Sequence, residues 1–183
     1  MQEVNNISIK EYFSLQDSSA YDVFLDILKP KNLFCGKRFD TSKMTYDEYL
    51  TIISILNKPN LLNVKDLFVH LWRIKGNIKI SAEEMFFNES VFVLFSAKRF
   101  LKEFIEHKIK LENKILYSEP DIKMLEIKAG ERLKPFQTMI TKINIGKQFG
   151  INPYEVGKWK YSEVLNILAT NNALNQVQRD YAK

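Results

Sequence analysis

Helix-start signals recur along this chain and restrict what it can fold into more than any other feature. The segments Ser8–Glu11, Thr45–Glu48 and Ser81–Glu84 each have a Ser or Thr followed three residues later by Glu. In such a capping box, the hydroxyl accepts a backbone N–H of the first helical turn, and the Glu carboxylate accepts the N–H of the cap residue. Apolar residues follow each box at helical spacing. The pattern predicts a helix after each box.

The composition supports a helical fold with a self-sufficient core. The 183 residues are 45% hydrophobic and include 6 Gly and 5 Pro, so breaks are few and a turn-rich all-β fold is disfavoured. We expect a mostly α protein of roughly seven to nine helices in a single multi-helix domain. We expect a helical core over residues 1–130 and a small helical C-terminal subdomain over residues 131–183.

Other helix boundaries are less strongly marked than the capping boxes. The candidate N-caps outside the boxes are Ser18 or Ser19, Asn63, Ser118 and Ser162. The longest segment without a breaker runs from Glu89 to Leu116. Its apolar start, Val91–Phe95, fits a buried strand as well as a buried helix, but the helical spacing that follows favours one long helix.

Groups suited to catalysis or metal binding are scarce. The chain has one cysteine, Cys35, and two histidines, His70 and His107. A single cysteine excludes an intramolecular disulfide and a Cys-rich zinc module. Gly146 and Gly150 lack the Lys-Ser/Thr pair of a phosphate-binding loop. A Cys–His pair stays possible in principle, but the inventory predicts a protein that is not an enzyme and has no metal or cofactor.

The net charge of +5 is a weak pointer to nucleic acid. The 27 basic residues oppose 22 acidic ones, and all but five of the basic residues are lysine, whereas arginine is preferred for reading phosphates and base edges.

The first residues lack a charged-then-apolar signal pattern, and no apolar stretch is long enough to span a bilayer. We therefore expect a protein of a reducing cytoplasm that does not bind membranes.

The segment Ile145–Trp159 allows a first interpretation as a helix-turn-helix at about 140–160. Gly146 is the small residue for close helix contact, Gly150 the turn glycine, and Ile151 and Val156 the apolar packing positions. The DNA-contacting residues would be Lys147, Asn152, Tyr154, Lys158 and Lys160. No arginine in this group is available to read guanine.

A second interpretation uses the residues that follow. Asn152 caps a short helix whose first residue is Pro153, Val156 and Trp159 plug the core, and Ser162 caps the last helix. The order Pro153-x-x-Val156-x-x-Trp159-x-x-x-Glu163-Val164 resembles the end of tail-assembly chaperones of tailed bacteriophages. The resemblance implies a virion or morphogenesis protein made in the host cytoplasm. Its implied partners are other phage structural proteins, with a second copy of this chain among them.

The expected contact surface is the C-terminal helix and the short helix before it. Tyr154, Lys158, Lys160 and Tyr161 are the candidate exposed anchors, because tyrosine combines contact area with a hydrogen-bonding tip. Residues 171–181 are polar on most sides. We expect them to be either a frayed end or a segment that orders against a partner.

Overall fold

The protein is mostly α-helical. A computed structural model describes residues 6–19, 21, 27–57, 60–118 and 125–181. The helices are α1 (Ile9–Phe13), α2 (Tyr46–Asn57), α3 (Leu61–Leu71), α4 (Ala82–Asn88), α5 (Val91–Ile115), α6 (Ala129–Leu133), α7 (Gln137–Phe149), α8 (Pro153–Val156) and α9 (Tyr161–Tyr181). Isolated β-bridges are the only strand-like pairings in the described ranges. The predicted fold class is confirmed, and so is the single long helix α5.

The capping boxes form as predicted. Before α1, the Glu11 N–H donates to Ser8 Oγ at 3.2 Å and the Ser8 N–H donates to Glu11 Oε2 at 2.8 Å. The boxes before α2 and α4 make the same reciprocal pairs, at 2.7 to 3.2 Å. Each box satisfies backbone donors that a helix start leaves without an intrahelical partner.

Two of the weaker predicted caps were wrong. Asn60 rather than Asn63 caps α3, since its Oδ1 accepts the Leu62 N–H at 2.9 Å. Helix α9 begins at Tyr161, one residue before the predicted cap Ser162, because the preceding residue is paired with another segment in a β-bridge. The helices predicted after Ser18 or Ser19 and after Ser118 run through residues outside the described ranges.

The chain forms two compact units. Unit 1 is Met1–Thr41 with Leu50–His107, and unit 2 is Ser42–Tyr49 with Lys108–Lys183. These bounds differ from the expected division into 1–130 and 131–183. Helices α2 and α5 each contribute residues to both units, an arrangement that no change of composition along the chain reveals.

Unit 1 is built around an aromatic cluster. The Phe68 ring stacks on Trp72 with centroids 4.8 Å apart and meets Phe34 edge-on at 5.0 Å. Phe86 of α4 lies 5.6 Å from Phe34, and all four side chains are almost fully buried. The cluster therefore packs the loop before α2 against α3 and α4.

Unit 2 depends on a close approach at the end of α7. A Cβ on Gly146 would lie 2.8 Å from the Ile151 carbonyl oxygen, so only glycine fits there. Gly150 ends the helix in the left-handed region, at φ 67°. The Ile151 N–H then donates to the Gly146 carbonyl at 2.9 Å. This turn places α8 directly against α7.

In the described part of the chain, no helix is both long enough and apolar enough to cross a membrane.

Candidate partner-binding surface

The connection between α8 and α9 is a turn that ends in a β-bridge between Lys160 and Thr45, just before α2. The Tyr46 N–H donates to the Trp159 carbonyl and the Tyr161 N–H to the Met44 carbonyl, both at 2.9 Å. Lys158 and Lys160 are exposed, Trp159 between them is half-buried, and Gly157 and Tyr161 on either side are buried.

The expectation that Tyr161 is an exposed anchor was wrong. Its side chain is 4% exposed, and its ring packs against Tyr49 with centroids 4.4 Å apart. Tyr161 is the first residue of α9, and its N–H donates to the Met44 carbonyl at 2.9 Å, so this pairing holds the first turn of α9 against residues 44–49 of unit 2.

The other predicted contact residues lie at the surface of unit 2. Tyr154 is 66% exposed. Lys158 Nζ lies 2.8 Å from Glu155 Oε1, and Lys160 Nζ lies 3.7 Å from Glu163 Oε1. Each lysine therefore has a carboxylate beside it that would repel a phosphate, so the pair is better suited to a protein contact than to a DNA backbone.

The two predicted core residues differ in burial. Val156 is fully buried, while Trp159 is half-buried and meets Phe149 edge-on at 5.5 Å. Asn152 Oδ1 caps α8 by accepting the Tyr154 N–H at 2.9 Å. Helix α8 is four residues long, about one turn, which gives a DNA-reading helix little length.

Sequence reasoning missed an apolar stripe on the outer side of α9. Leu174, Val177 and Tyr181 are 56%, 67% and 95% exposed. Together with Ile167 and Thr170 they are spaced alternately three and four residues apart, which places all five along one face of the helix. We call Ile167, Thr170, Leu174, Val177 and Tyr181 the outer stripe. The signal was present in the heptad spacing but was masked by the many polar residues around it.

Side-chain amides set the rotation of α9 in unit 2. Asn172 Nδ2 donates to the Tyr117 carbonyl at 3.2 Å, and Gln176 Nε2 donates to the same oxygen at 2.9 Å. Asn172 also reaches the Ile115 carbonyl, at 3.3 Å, at the end of α5. Carbonyls at a helix end lack intrahelical partners, and these amides donate hydrogen bonds to them. Because Asn172 and Gln176 face the Tyr117 carbonyl, the outer stripe on the other side of α9 points away from it.

A shallow groove runs beside the first half of the outer stripe. Asn171 Nδ2 donates to Gln148 Oε1 at 2.9 Å, and this amide pair joins the end of α7 to α9. The groove, about 220 Å³, is lined by Gln148, Phe149, Asn166, Ile167, Thr170 and Asn171. It offers an apolar floor with uncharged hydrogen-bonding groups around it.

Inside unit 2, tyrosines lie beside a half-buried carboxylate, that of Glu112. Tyr49 donates to Glu112 Oε2 at 2.7 Å, and Lys108 Nζ lies 5.4 Å from the centre of the Tyr161 ring. Burial raises the pKa of Glu112, an effect that the Tyr49 hydrogen bond partly offsets. Burial also raises the pKa of Tyr49 and Tyr161. The hydroxyl of Tyr161 is buried and makes no well-formed hydrogen bond with a described residue.

An ion pair between α7 and α2 lies beside the turn that joins α8 to α9. Lys142 of α7 is buried and pairs with the Asp47 carboxylate at the start of α2. The Asp47 N–H donates to the Gly157 carbonyl at 2.9 Å, and a Cβ on Gly157 would overlap the Asp47 carboxylate. Glycine at position 157 therefore leaves room for the Asp47 carboxylate beside the backbone that leads to Lys158 and Lys160.

The described residues hold no group of three or more His, Cys, Asp or Glu placed to bind a metal ion. Burial, with Glu89 nearby, raises the pKa of the Cys35 thiol to about 12, so this cysteine is protonated at neutral pH and a poor nucleophile. Comparisons with protein-family models, with curated proteins and with solved structures found no match to this chain.

Proposed function

We propose that this protein is a non-enzymatic assembly or structural protein of a tailed bacteriophage that acts through protein–protein contacts. The observation that carries the contact role is the outer stripe of α9, with Tyr154, Lys158 and Lys160 as further contact residues. The assignment to phage assembly rests on the resemblance of the order Pro153 to Val164 to the end of tail-assembly chaperones. The proposed location is the host cytoplasm during assembly, or the virion.

The outer stripe suits a helical partner. Alternating spacings of three and four are the pattern by which one helix packs its side chains between those of another. Of the flanking positions, Asn166, Asn171, Ala173 and Gln178 are uncharged and Asp180, next to Tyr181, is charged, so the contact depends mainly on apolar burial. Fully burying one large apolar side chain stabilises a complex by roughly 1.5–3 kcal/mol. We propose that the occupant is an amphipathic helix of another phage structural protein or of a second copy of this chain.

The test compares two single substitutions that add the same charge to the same turn of α9. Val177→Glu places a carboxylate in the outer stripe, and Asn175→Glu places one at an exposed position roughly 160° away around the helix. Mass is measured by light scattering, and co-purified chains from infected cells are identified by mass spectrometry. Both measurements are made at about 0.1 M and about 1 M salt, which span strong and weak screening.

The expected result is a complex with a phage structural protein, or a discrete oligomer, that survives the higher salt. Val177→Glu abolishes it and Asn175→Glu keeps it, because only the first buries a charge without a partner. A monomer without a protein partner at either salt concentration contradicts the proposal. A complex that Val177→Glu leaves intact also contradicts it.

A further inference from the structure

Unit 1 contains a pocket that the proposed function does not use. It is bordered by α1, by the start of α3 and by the first half of α5, and its volume is about 250 Å³. Its apolar wall includes Phe13, Leu61 and Phe95, and its side chains with polar atoms among the described residues are Tyr12, Asn60 and Lys98. Drug-sized ligands occupy pockets of about 300–1,000 Å³, so this space suits a smaller molecule. A small molecule of modest size therefore fits it.

Lys98 is a half-buried cation without a carboxylate partner among the described residues. Its Nζ lies 5.5 Å from the centre of the Phe95 ring. The neighbouring Arg99 approaches Glu103 at 3.9 Å, but Lys98 takes part in no such pair with a residue that the structure describes. Burial, together with the charge of Lys102 one turn further along α5, lowers the pKa of Lys98. The pocket thus has a positive rim that no anion in the described chain neutralises.

Asn60 supplies a second polar group at the same pocket. Its Oδ1 is engaged as the N-cap of α3, accepting the Leu62 N–H, and this orients the amide and leaves Nδ2 as a donor. A half-buried charge is costly unless it is paired and hydrogen-bonded. An anion beside Lys98 and Asn60 removes that cost, while an apolar body displaces water from the aromatic wall.

We propose that this pocket binds a small apolar carboxylate, with the carboxylate at Lys98 and Asn60 and the hydrocarbon part against Phe13, Leu61 and Phe95. The charge selects the head group and the apolar wall selects the tail. The proposal predicts a preference for the anion over a neutral or cationic molecule of the same shape.

The experiment compares octanoate, 1-octanol and octylammonium by calorimetric titration of the full chain. Amide shifts in NMR spectra locate the site on α1, α3 and α5. Lys98→Met removes the charge but keeps the aliphatic stem. Lys110→Met is the control, because Lys110 is exposed on the same helix, roughly 18 Å away along its axis.

We expect octanoate to bind at least tenfold more tightly than 1-octanol and octylammonium to bind most weakly. Lys98→Met removes the preference, and Lys110→Met retains it. Equal affinity for octanoate and 1-octanol in the unmodified chain overturns the proposal, a result that needs no variant to fold. The absence of saturable octanoate binding, shifts confined to other helices, or an equal effect of both lysine variants also overturns it.

Discussion

At the scale of single residues, Glu112 is the group whose environment most changes its chemistry. Its carboxylate is half-buried beside tyrosines of unit 2 and accepts a hydrogen bond from Tyr49. Because burial raises its pKa in the folded state, the folded protein holds this proton more tightly than the unfolded chain does. Stability therefore falls as the pH rises from the unfolded value, about 4.3, through the folded-state pKa.

Glu112→Gln tests this reasoning. The amide oxygen can still accept the Tyr49 hydrogen bond, but it carries no charge to desolvate. We expect the variant to be more stable than the parent at pH 7 and nearly equal to it at pH 4, as measured by urea denaturation. The exposed Glu106 on the same helix supplies the control, Glu106→Gln. A variant that loses stability at pH 7 relative to pH 4 would show that the charge is favourable in the folded protein.

Tyr161 shows what residue type alone leaves open. Tyrosine is common at interfaces and in cores, since its ring is apolar and its hydroxyl polar. The choice depends on which other segment packs against the residue. The turn before α9 and the first residue of α9 pair with residues 44–47, which lie more than a hundred positions earlier in the chain.

At the scale of elements, the reciprocal caps were all predicted correctly, whereas the lone caps were predicted correctly at Asn152 and wrongly at Asn63 and Ser162. A capping box specifies two hydrogen bonds at a set spacing, so few other positions can satisfy it. A lone Asn competes with other residues nearby. In α3, Asn60 occupies the cap and Asn63 lies inside the first turn. The local sequence allows either, and the path of the incoming chain selects one.

Asn60→Ala and Asn63→Ala form a matched pair for α3. Asn60→Ala leaves the Leu62 N–H without its acceptor, and we expect a loss of about 1 kcal/mol in the free energy of unfolding. Asn63→Ala replaces an exposed residue with a better helix former, and we expect no loss or a gain of a few tenths of a kcal/mol. Guanidinium denaturation measures both. If the two losses were equal, the assignment of Asn60 as the cap would be wrong.

At the scale of the whole molecule, net charge alone does not favour nucleic acid as a partner. The excess of +5 is spread over a chain with 22 acidic residues. In the segment that the helix-turn-helix interpretation assigned to DNA, Lys158 and Lys160 each have a glutamate beside them. A steep loss of affinity with salt requires several lysines or arginines that release counterions from phosphates.

The double variant Lys158→Ala/Lys160→Ala tests the DNA alternative, with Lys102→Ala/Lys110→Ala as a control of equal charge. We expect weak binding of duplex DNA that falls by the same small factor in both variants, because only the total charge changes. Fluorescence anisotropy at several salt concentrations measures the affinity and its slope. A much larger loss in the first variant, with a reduced salt slope, would favour the helix-turn-helix.

The sequence by itself determined the helical class, the capping boxes before α1, α2 and α4, and the single long helix α5. These features depend on neighbours within a few positions, so their physics is local. Only the tertiary structure decided the two compact units, the burial of Tyr161 and the direction of the outer stripe. Each depends on residues far apart in the chain, such as the amides of α9 that reach the Tyr117 carbonyl. Periodicity shows which residues share a helix face, but contacts with distant segments determine whether that face is buried or left for a partner.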